Sequence, residues 1–312
     1  MRIVPCLKKT LIAVTLVLFS ALMLFSLGEG NDAVTNRKGE EGKLTIYFPY
    51  LDTEETDDAL HGDCAILVSP DGKTMMIDAG HPLTQNKLLT FLKQLGITHI
   101  DYFVMSHPHK DHVGGFPYIA DHIGFSEIIR SYLHDGSAYE QSFEKSVKKH
   151  NIPVKEYQTG DTFPFGEEVT VTVLSPDKDT IIPEKPSISV VNSSSLCLQF
   201  HYGESTVLFC GDLYNMGERS VMAKWGDGLK SDIVKANHHG GDTSNQSQWI
   251  AKVKPELTVV SSDNSCSFTV LSRYKKAGSQ VVQTALNGNM KILVGNHHDF
   301  EVLSEKKSKM DD

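Results

Sequence analysis

The stretch "FVMSHPHKDHVGGF" (103–116) places His107, His109, Asp111 and His112 within six positions, after an apolar run and before two glycines. A histidine ring offers a nitrogen lone pair to a borderline cation such as zinc, and a carboxylate offers a hard oxygen. On a loop leaving a strand, residues two apart can point to one side. His107, His109 and Asp111 can therefore converge, while the adjacent His112 reaches round to a second ion. Gly114 and Gly115 let the backbone turn closely beneath such a site. A surface loop would account for any one of these histidines; four candidate ligands at the end of a buried strand favour a binuclear metal site. Three further segments carry the same residue types: Asp78 in "MMIDAG", Asp212 in "VLFCGDL", and His238 with His239 in "VKANHHGG". Singly, Asp212 reads as a turn residue and Asp78 as a cap.

These residues need rigid elements behind them. "IDYFVMS" reads as a fully buried strand that delivers the histidine cluster to its end. From Lys43 the chain shows short β-branched runs, "KLTIYF", "CAILVS" and "TMMIDAG", with a "PDGK" turn between the last two. "TQNKLLTFLKQLG" sets Leu88, Leu92 and Leu95 on one helical face, with Gly96 as terminator. Later strands are expected at "VTVTVLS", "SSLCLQFHY", "STVLFCGD", "DIVKANH", "LTVVSS", "QVVQTA" and "MKILVG", and helices near 118–123, 138–150, 214–224 and 245–253. No fixed repeat is present, and the mixture of strands and helices predicts a layered α/β or α+β domain. Residues 176–190, with three prolines, are expected to form a loop.

The chain has 312 residues, 40% apolar and 22% charged, a globular balance. Its first 30 residues differ: Arg2, Lys8 and Lys9 precede an apolar run from Leu11 to Leu27. This is the pattern of an export signal, and the run is also nearly long enough to span a bilayer. A cleaved signal peptide and an N-terminal membrane anchor both remain open, and the basic flank places the rest of the chain outside the cytoplasm in either case. The expected organisation is a signal or anchor over 1–30, a polar linker over 31–42, a catalytic domain over 43–303 and a polar tail over 304–312. Without the first 30 residues the chain has 27 basic and 38 acidic residues, a net charge of −11. Extended nucleic acid is normally gripped by many cations, and "KSVKKH" and "SRYKK" are the visible basic clusters, read as solvated faces. Cys64, Cys197, Cys210 and Cys266 lack metal-knuckle spacing and read as small residues with free thiols.

Taken together and in this order, "MMIDAG", "SHPHKDHVGG", "VLFCGDL" and "VKANHHGG" resemble the signature motifs of the metallo-β-lactamase superfamily, over about residues 43–295. Within it the wording is similar to the exported hydrolase domain of the competence protein ComEC and to phosphorylcholine esterases. "HGDCAILV", "NSSSLCLQF", Glu218, "HHGG" and "TALNGNMKI" carry that likeness. The resemblance implies a four-layer αββα sandwich and two divalent ions, zinc with manganese as the alternative. It implies His107, His109 and Asp212 on the first ion, and Asp111, His112, Asp212 and one of His238 or His239 on the second. His239 is the expected ligand and His238 the substrate contact, so that Asp111 and His238 are the residues expected to serve catalysis most directly. Asp78 would support the histidine loop from behind. Two departures stand out: "VNSSSL" replaces the third histidine of the first ion, and "DNSCSFTVLSRY" keeps Asn264 but lacks the subgroup's histidine. His201, His297 and His298 are read as structural or exposed.

Metal-activated hydrolysis is the reaction class the resemblance implies, with a small phosphoester or phosphodiester, or nucleic acid, as substrate. Lactam or lactone hydrolysis is the alternative, and an inactive metal-stabilised binding module is the second class. The expected location is secreted or anchored to the outer face of the cytoplasmic membrane, with membrane contact only through the N-terminal segment and no protein partner indicated.

Overall fold

The computed structural model describes residues 33–53, 62–261 and 266–306. The expected signal or anchor, most of the polar tail and Asn264 lie outside them. Among the described residues no helix is long and apolar enough to cross a membrane.

Two mixed sheets face each other. The first contains, in spatial order, β15 (Phe300–Ser304), β14 (Met290–Val294), β1 (Leu44–Phe48), β2 (Ala65–Val68), β3 (Thr74–Ile77), β4 (His99–Val104), β5 (Gly124–Arg130) and β6 (Val154–Glu156). The second runs β13 (Gln280–Gln283), β12 (Leu257–Val260), β11 (Ile233–Lys235), β10 (Ser205–Phe209), β9 (Cys197–Tyr202), β8 (Val169–Ser175) and β7 (Thr162–Phe165). The period-2 geometry of a strand explains how one sequence serves two faces. In β1, Leu44, Ile46 and Phe48 enter the core between the sheets, while Tyr47 packs outward against the helices. In β10, Val207 and Phe209 point inward and Leu208 outward.

The three apolar cores define four layers. One lies between the sheets, one joins the first sheet to helices Gln85–Gln94 and Ala138–Lys149, and one joins the second sheet to helices Asn215–Trp225, Ser247–Val253 and Phe268–Lys276. This is the expected αββα sandwich. Because both faces of the central strands are covered, they read as continuous apolar runs rather than alternating ones.

Several local features differ from the sequence expectation. Within the 176–190 excursion, Ile188 begins a short helix to Ser193, whose N-cap Ser187 accepts from Val190 N–H. The basic segment "SRYKK" belongs to helix Phe268–Lys276, which buries Val270, Leu271 and Tyr274. Strands β5, β6, β7 and β15 were not anticipated; β6 is exposed throughout and carries no apolar signal, whereas in β15 Phe300 and Val302 pack against the core between the sheets. Residues 33–42, read as linker, pack onto the domain: Val34 is fully buried, and Glu40 receives hydrogen bonds from Arg37 and Tyr47.

Strands β3, β4 and β5 run parallel, as do β10, β11 and β12. Their carboxyl ends deliver Asp78, His107, Asp212 and the His238–His239 pair to one end of the sandwich. Ligands in α/β sheets characteristically bind outside such carboxyl ends.

Candidate metal centre

Asp78 follows β3 in a left-handed conformation, φ +60°. Its Oδ1 accepts from Ser106 N–H at 2.9 Å, and its Oδ2 accepts from the Ser106 hydroxyl at 2.6 Å and faces His112 Nδ1 at 2.7 Å. The carboxylate thereby fixes the His112 ring and turns Nε2 toward the site. Beneath the loop, Gly115 approaches Ala79 so closely that a Cβ there would stand 2.2 Å from the Ala79 carbonyl oxygen. This contact bears out the expected role of the glycine pair.

On the second sheet, Asp212 follows β10 and is almost fully buried. His238 and His239 follow β11 with φ +48° and +52°, two successive left-handed residues. Such conformations cost on the order of 1–3 kcal/mol each and persist where the surroundings fix them. The surroundings here include Glu218, which accepts from Asn237 Nδ2 at 2.9 Å, Asn245 N–H at 2.5 Å and Gln246 N–H at 3.2 Å. Asn245 in turn donates from Nδ2 to the Asn237 carbonyl at 2.8 Å. The sequence likeness pointed to Glu218; the structure shows that it holds the paired-histidine loop.

Burial pushes the Glu218 carboxyl up from 4.5 to about 7, against the three donors that favour its charged form. A carboxyl raised on folding contributes fully below its unfolded value, and that contribution is lost as pH rises through the folded value. Thermal stability should therefore fall from about pH 5 to about pH 8, and Glu218→Gln should flatten that slope. The variant should also lose about 1–3 kcal/mol, because its amide presents a donor to donors. Melting curves across this range read both effects, and an unchanged slope would assign the pH dependence elsewhere.

The expected ligands converge. His239 Nε2 lies 3.2 Å from Asp111 Oδ2 and 3.5 Å from Asp212 Oδ1. His112 Nε2 lies 3.3 Å from Asp212 Oδ2 and 3.6 Å from Asp111 Oδ2. A tetrahedral ion with bonds of 2.0–2.1 Å has ligand-to-ligand edges of about 3.3 Å, so these four donors are spaced for one ion. A second group lies beside it: His107 Nε2 is 3.1 Å from His109 Nδ1 and 3.9 Å from Asp212 Oδ2. His112 Nε2 and Asp212 Oδ1 are buried and have no hydrogen-bond partner, as ligand atoms awaiting a cation would be.

The electrostatics agree with this fit. Burial, reinforced by His112, holds His107 well below the usual imidazole range and so keeps its nitrogen neutral. Burial also lowers His109. For His112, burial is outweighed by Asp212, Asp111 and Asp78, and the ring is pushed well above its ordinary value. His239 is likewise pushed up to about 9 against its burial, by Asp212 and Asp111. The donor set thus fits divalent metal at both positions.

His238 lies at the edge of the group formed by His239, Asp111, His112 and Asp212. Its Nδ1 lies 2.6 Å from Thr243 Oγ1, its Nε2 lies 3.8 Å from Asp212 Oδ2, and its side chain is 29% exposed. His239 is nearly buried, with Nδ1 3.0 Å from the Ser261 carbonyl oxygen. The "VNSSSL" segment adjoins the site, with Ser195 beside Gly211, and brings hydroxyls but no imidazole. His201 lies on β9 away from the cluster, and His297 and His298 face Glu204 and Asp232 at an exposed turn. Among the described residues Cys64, Cys197, Cys210 and Cys266 form no disulfide.

Sequence reasoning missed Asp63 and Lys235, a buried ion pair directly behind the cluster. The available signal was a lysine inside the otherwise apolar "DIVKA", since lysine is almost never fully buried without a partner.

Residues 58–262 match the metallo-beta-lactamase superfamily, and the chain belongs to it. Among curated proteins it is 25% identical over 273 residues to ComE operon protein 3 of Bacillus subtilis, covering 80% of this chain and 33% of that protein. It is also 25% identical over 238 residues to competence protein ComA of Neisseria gonorrhoeae, covering 74% and 31%. An endoribonuclease, ysh1 of Emericella nidulans, is 23% identical over 186 residues, covering 56% and 21%. The chain thus spans about a third of the length of the competence relatives. Among solved structures, the CmlA beta-hydroxylase shares the fold with a TM-score of 0.51 at 13% identity, covering 81% of this chain and 54% of that one.

Proposed function

We propose that this chain is a binuclear metal-dependent hydrolase of phosphoester or phosphodiester bonds that works outside the cytoplasm. The observation that carries the reading is the position of Asp212, whose two oxygens face His239 on one side and His112 and His107 on the other. Two divalent ions, when held there, supply an activated water near neutral pH and Lewis acidity toward both the attacking and the leaving oxygen of a displacement. Asp111 and Asp212 supply negative charge that orients the cations, and Asp78 locks the His112 ring. With the Thr243 hydroxyl donating to Nδ1, His238 carries its proton on Nε2 beside Asp212, placed to hydrogen-bond a substrate oxygen. Burial lowers the His238 pKa, which suits a ring acting in its neutral form.

Short phosphoesters suit this acidic chain better than long nucleic acid, whose binding calls for several phosphate contacts. The relatives named as competence proteins and as an endoribonuclease nevertheless make oligonucleotides a substrate to try. The location rests on the apolar segment within residues 1–30. Protection of the chain from protease added to intact cells would refute it.

The test uses the purified full-length chain: zinc and manganese content, then hydrolysis of bis(p-nitrophenyl) phosphate, a chromogenic cephalosporin and a homoserine lactone. Metal-dependent phosphodiester turnover supports the reading, whereas turnover only of the lactam or lactone replaces it. Bound metal with no turnover on any of them favours a binding module. In the same assay His238→Ala should keep the metal content and lower kcat by about 10²-fold or more, the scale of a lost hydrogen-bond donor to a developing oxyanion. An unchanged kcat would remove His238 from the reaction.

A further inference from the structure

Asp63 sits where the ligand loops meet. Its N–H donates to the Asp111 carbonyl at 2.9 Å, and its own carbonyl accepts from Gly80 N–H at 2.9 Å, which joins the turn after Asp78 to the histidine loop. Gly62 makes the junction close: a Cβ there would stand 2.6 Å from His81 N and 2.7 Å from Gly80 Cα. From the opposite sheet, Lys235 on β11 pairs with Asp63 Oδ2, and neither side chain is more than 6% exposed. Lys235 also donates to the carbonyl of Gly211, the residue before Asp212, at 3.5 Å.

A clamp between two sheets does not require charge. Apolar residues of similar volume commonly serve as well as a buried ion pair, whose partners both lose their hydration. The placement of this pair supplies a reason for the charge. One ligand atom each from Asp63, His112, Asp212 and His239 lie within 4.8 Å of one another, and all four residues are buried.

We propose that Asp63 is a further ligand of the second ion: Lys235 holds one carboxylate oxygen while the other takes the metal. The inference rests on the two-ion reading of the site, and not on the identity of the substrate. It makes the second position oxygen-rich, with Asp63, Asp111 and Asp212 beside His112 and His239, a set that suits manganese as well as zinc. The first position keeps His107, His109 and their share of Asp212. Loss of the second ion's ligand should therefore leave the first ion in place.

The experiment compares the full-length native chain with Asp63→Asn and Lys235→Gln. Metal per chain is measured by mass spectrometry, zinc affinity by chelator competition, and the d–d absorption spectrum after cobalt(II) substitution; folding is followed by circular dichroism. The expected result is that Asp63→Asn binds the first ion as the native chain does, binds the second about 10- to 100-fold more weakly, and shows an altered cobalt spectrum. Lys235→Gln should weaken the second ion less, because the carboxylate remains. A native spectrum and native affinities in Asp63→Asn would overturn the proposal, as would equal losses at both ions in the two variants, which mark a clamp alone. If Asp63→Asn does not fold, Asp63→Glu keeps the charge; an altered cobalt spectrum with both ions bound supports ligation, and an unaltered one overturns it. A native chain that binds no metal would instead fail the two-ion reading itself.

Discussion

Asp212→Ala should reduce bound metal to at most one ion per chain and lower phosphodiester turnover by about 10³-fold or more. The size of the effect follows from geometry. Among the described residues Asp212 is the one carboxylate that approaches the donors of both clusters, with oxygens 3.3 Å from His112 Nε2, 3.5 Å from His239 Nε2 and 3.9 Å from His107 Nε2. An alanine would leave each ion a ligand short and would remove the negative charge that lies between the two groups of donors. Metal analysis and turnover on the same preparation check the expectation. Two tightly held ions with native turnover would show that Asp212 does not bridge.

Asp78→Asn should weaken binding at the second position by about 10- to 100-fold, the scale found when a carboxylate behind a metal-bound histidine is lost. Both oxygens of Asp78 are engaged, with Ser106 and with His112. An amide would present a donor to one of these partners and free the ring to turn. Asparagine tolerates the left-handed backbone found at this position, φ +60°, so the substitution tests the hydrogen bonds and not the turn. Zinc competition with a chelator measures the loss; native affinity would mean that Ser106 alone orients His112.

The contrast between these residues and Asp63 shows what kind of information a sequence carries. His107 to His112 were legible because their spacing is local and the buried strand before them announces where the loop begins. Asp78, Asp212 and His239 were legible through motifs at strand ends that resemble a known family, and the four-layer architecture was legible only through that resemblance. Asp63 and Lys235 were not, because each gains its meaning from a partner on the opposite sheet, and pairing between distant segments leaves no period in either one. The helix Phe268–Lys276 escaped for a different reason: its basic surface residues dominate the segment, while its buried face consists of only Val270, Leu271 and Tyr274. Edge strand β6 escaped because an exposed strand need not be apolar.

The pairing of β1 with β14 bears on how such a protein is made. Leu44 lies opposite Val294 and Phe48 opposite Met290, so the centre of the first sheet joins the two ends of the described domain. Contacts so distant along the chain carry a large loop-closure cost before they return any stability. Wherever the chain folds, the histidine loop stands without Asp212 and His239 until the second sheet has joined the first, so the candidate donors come together only with topological closure of the sandwich.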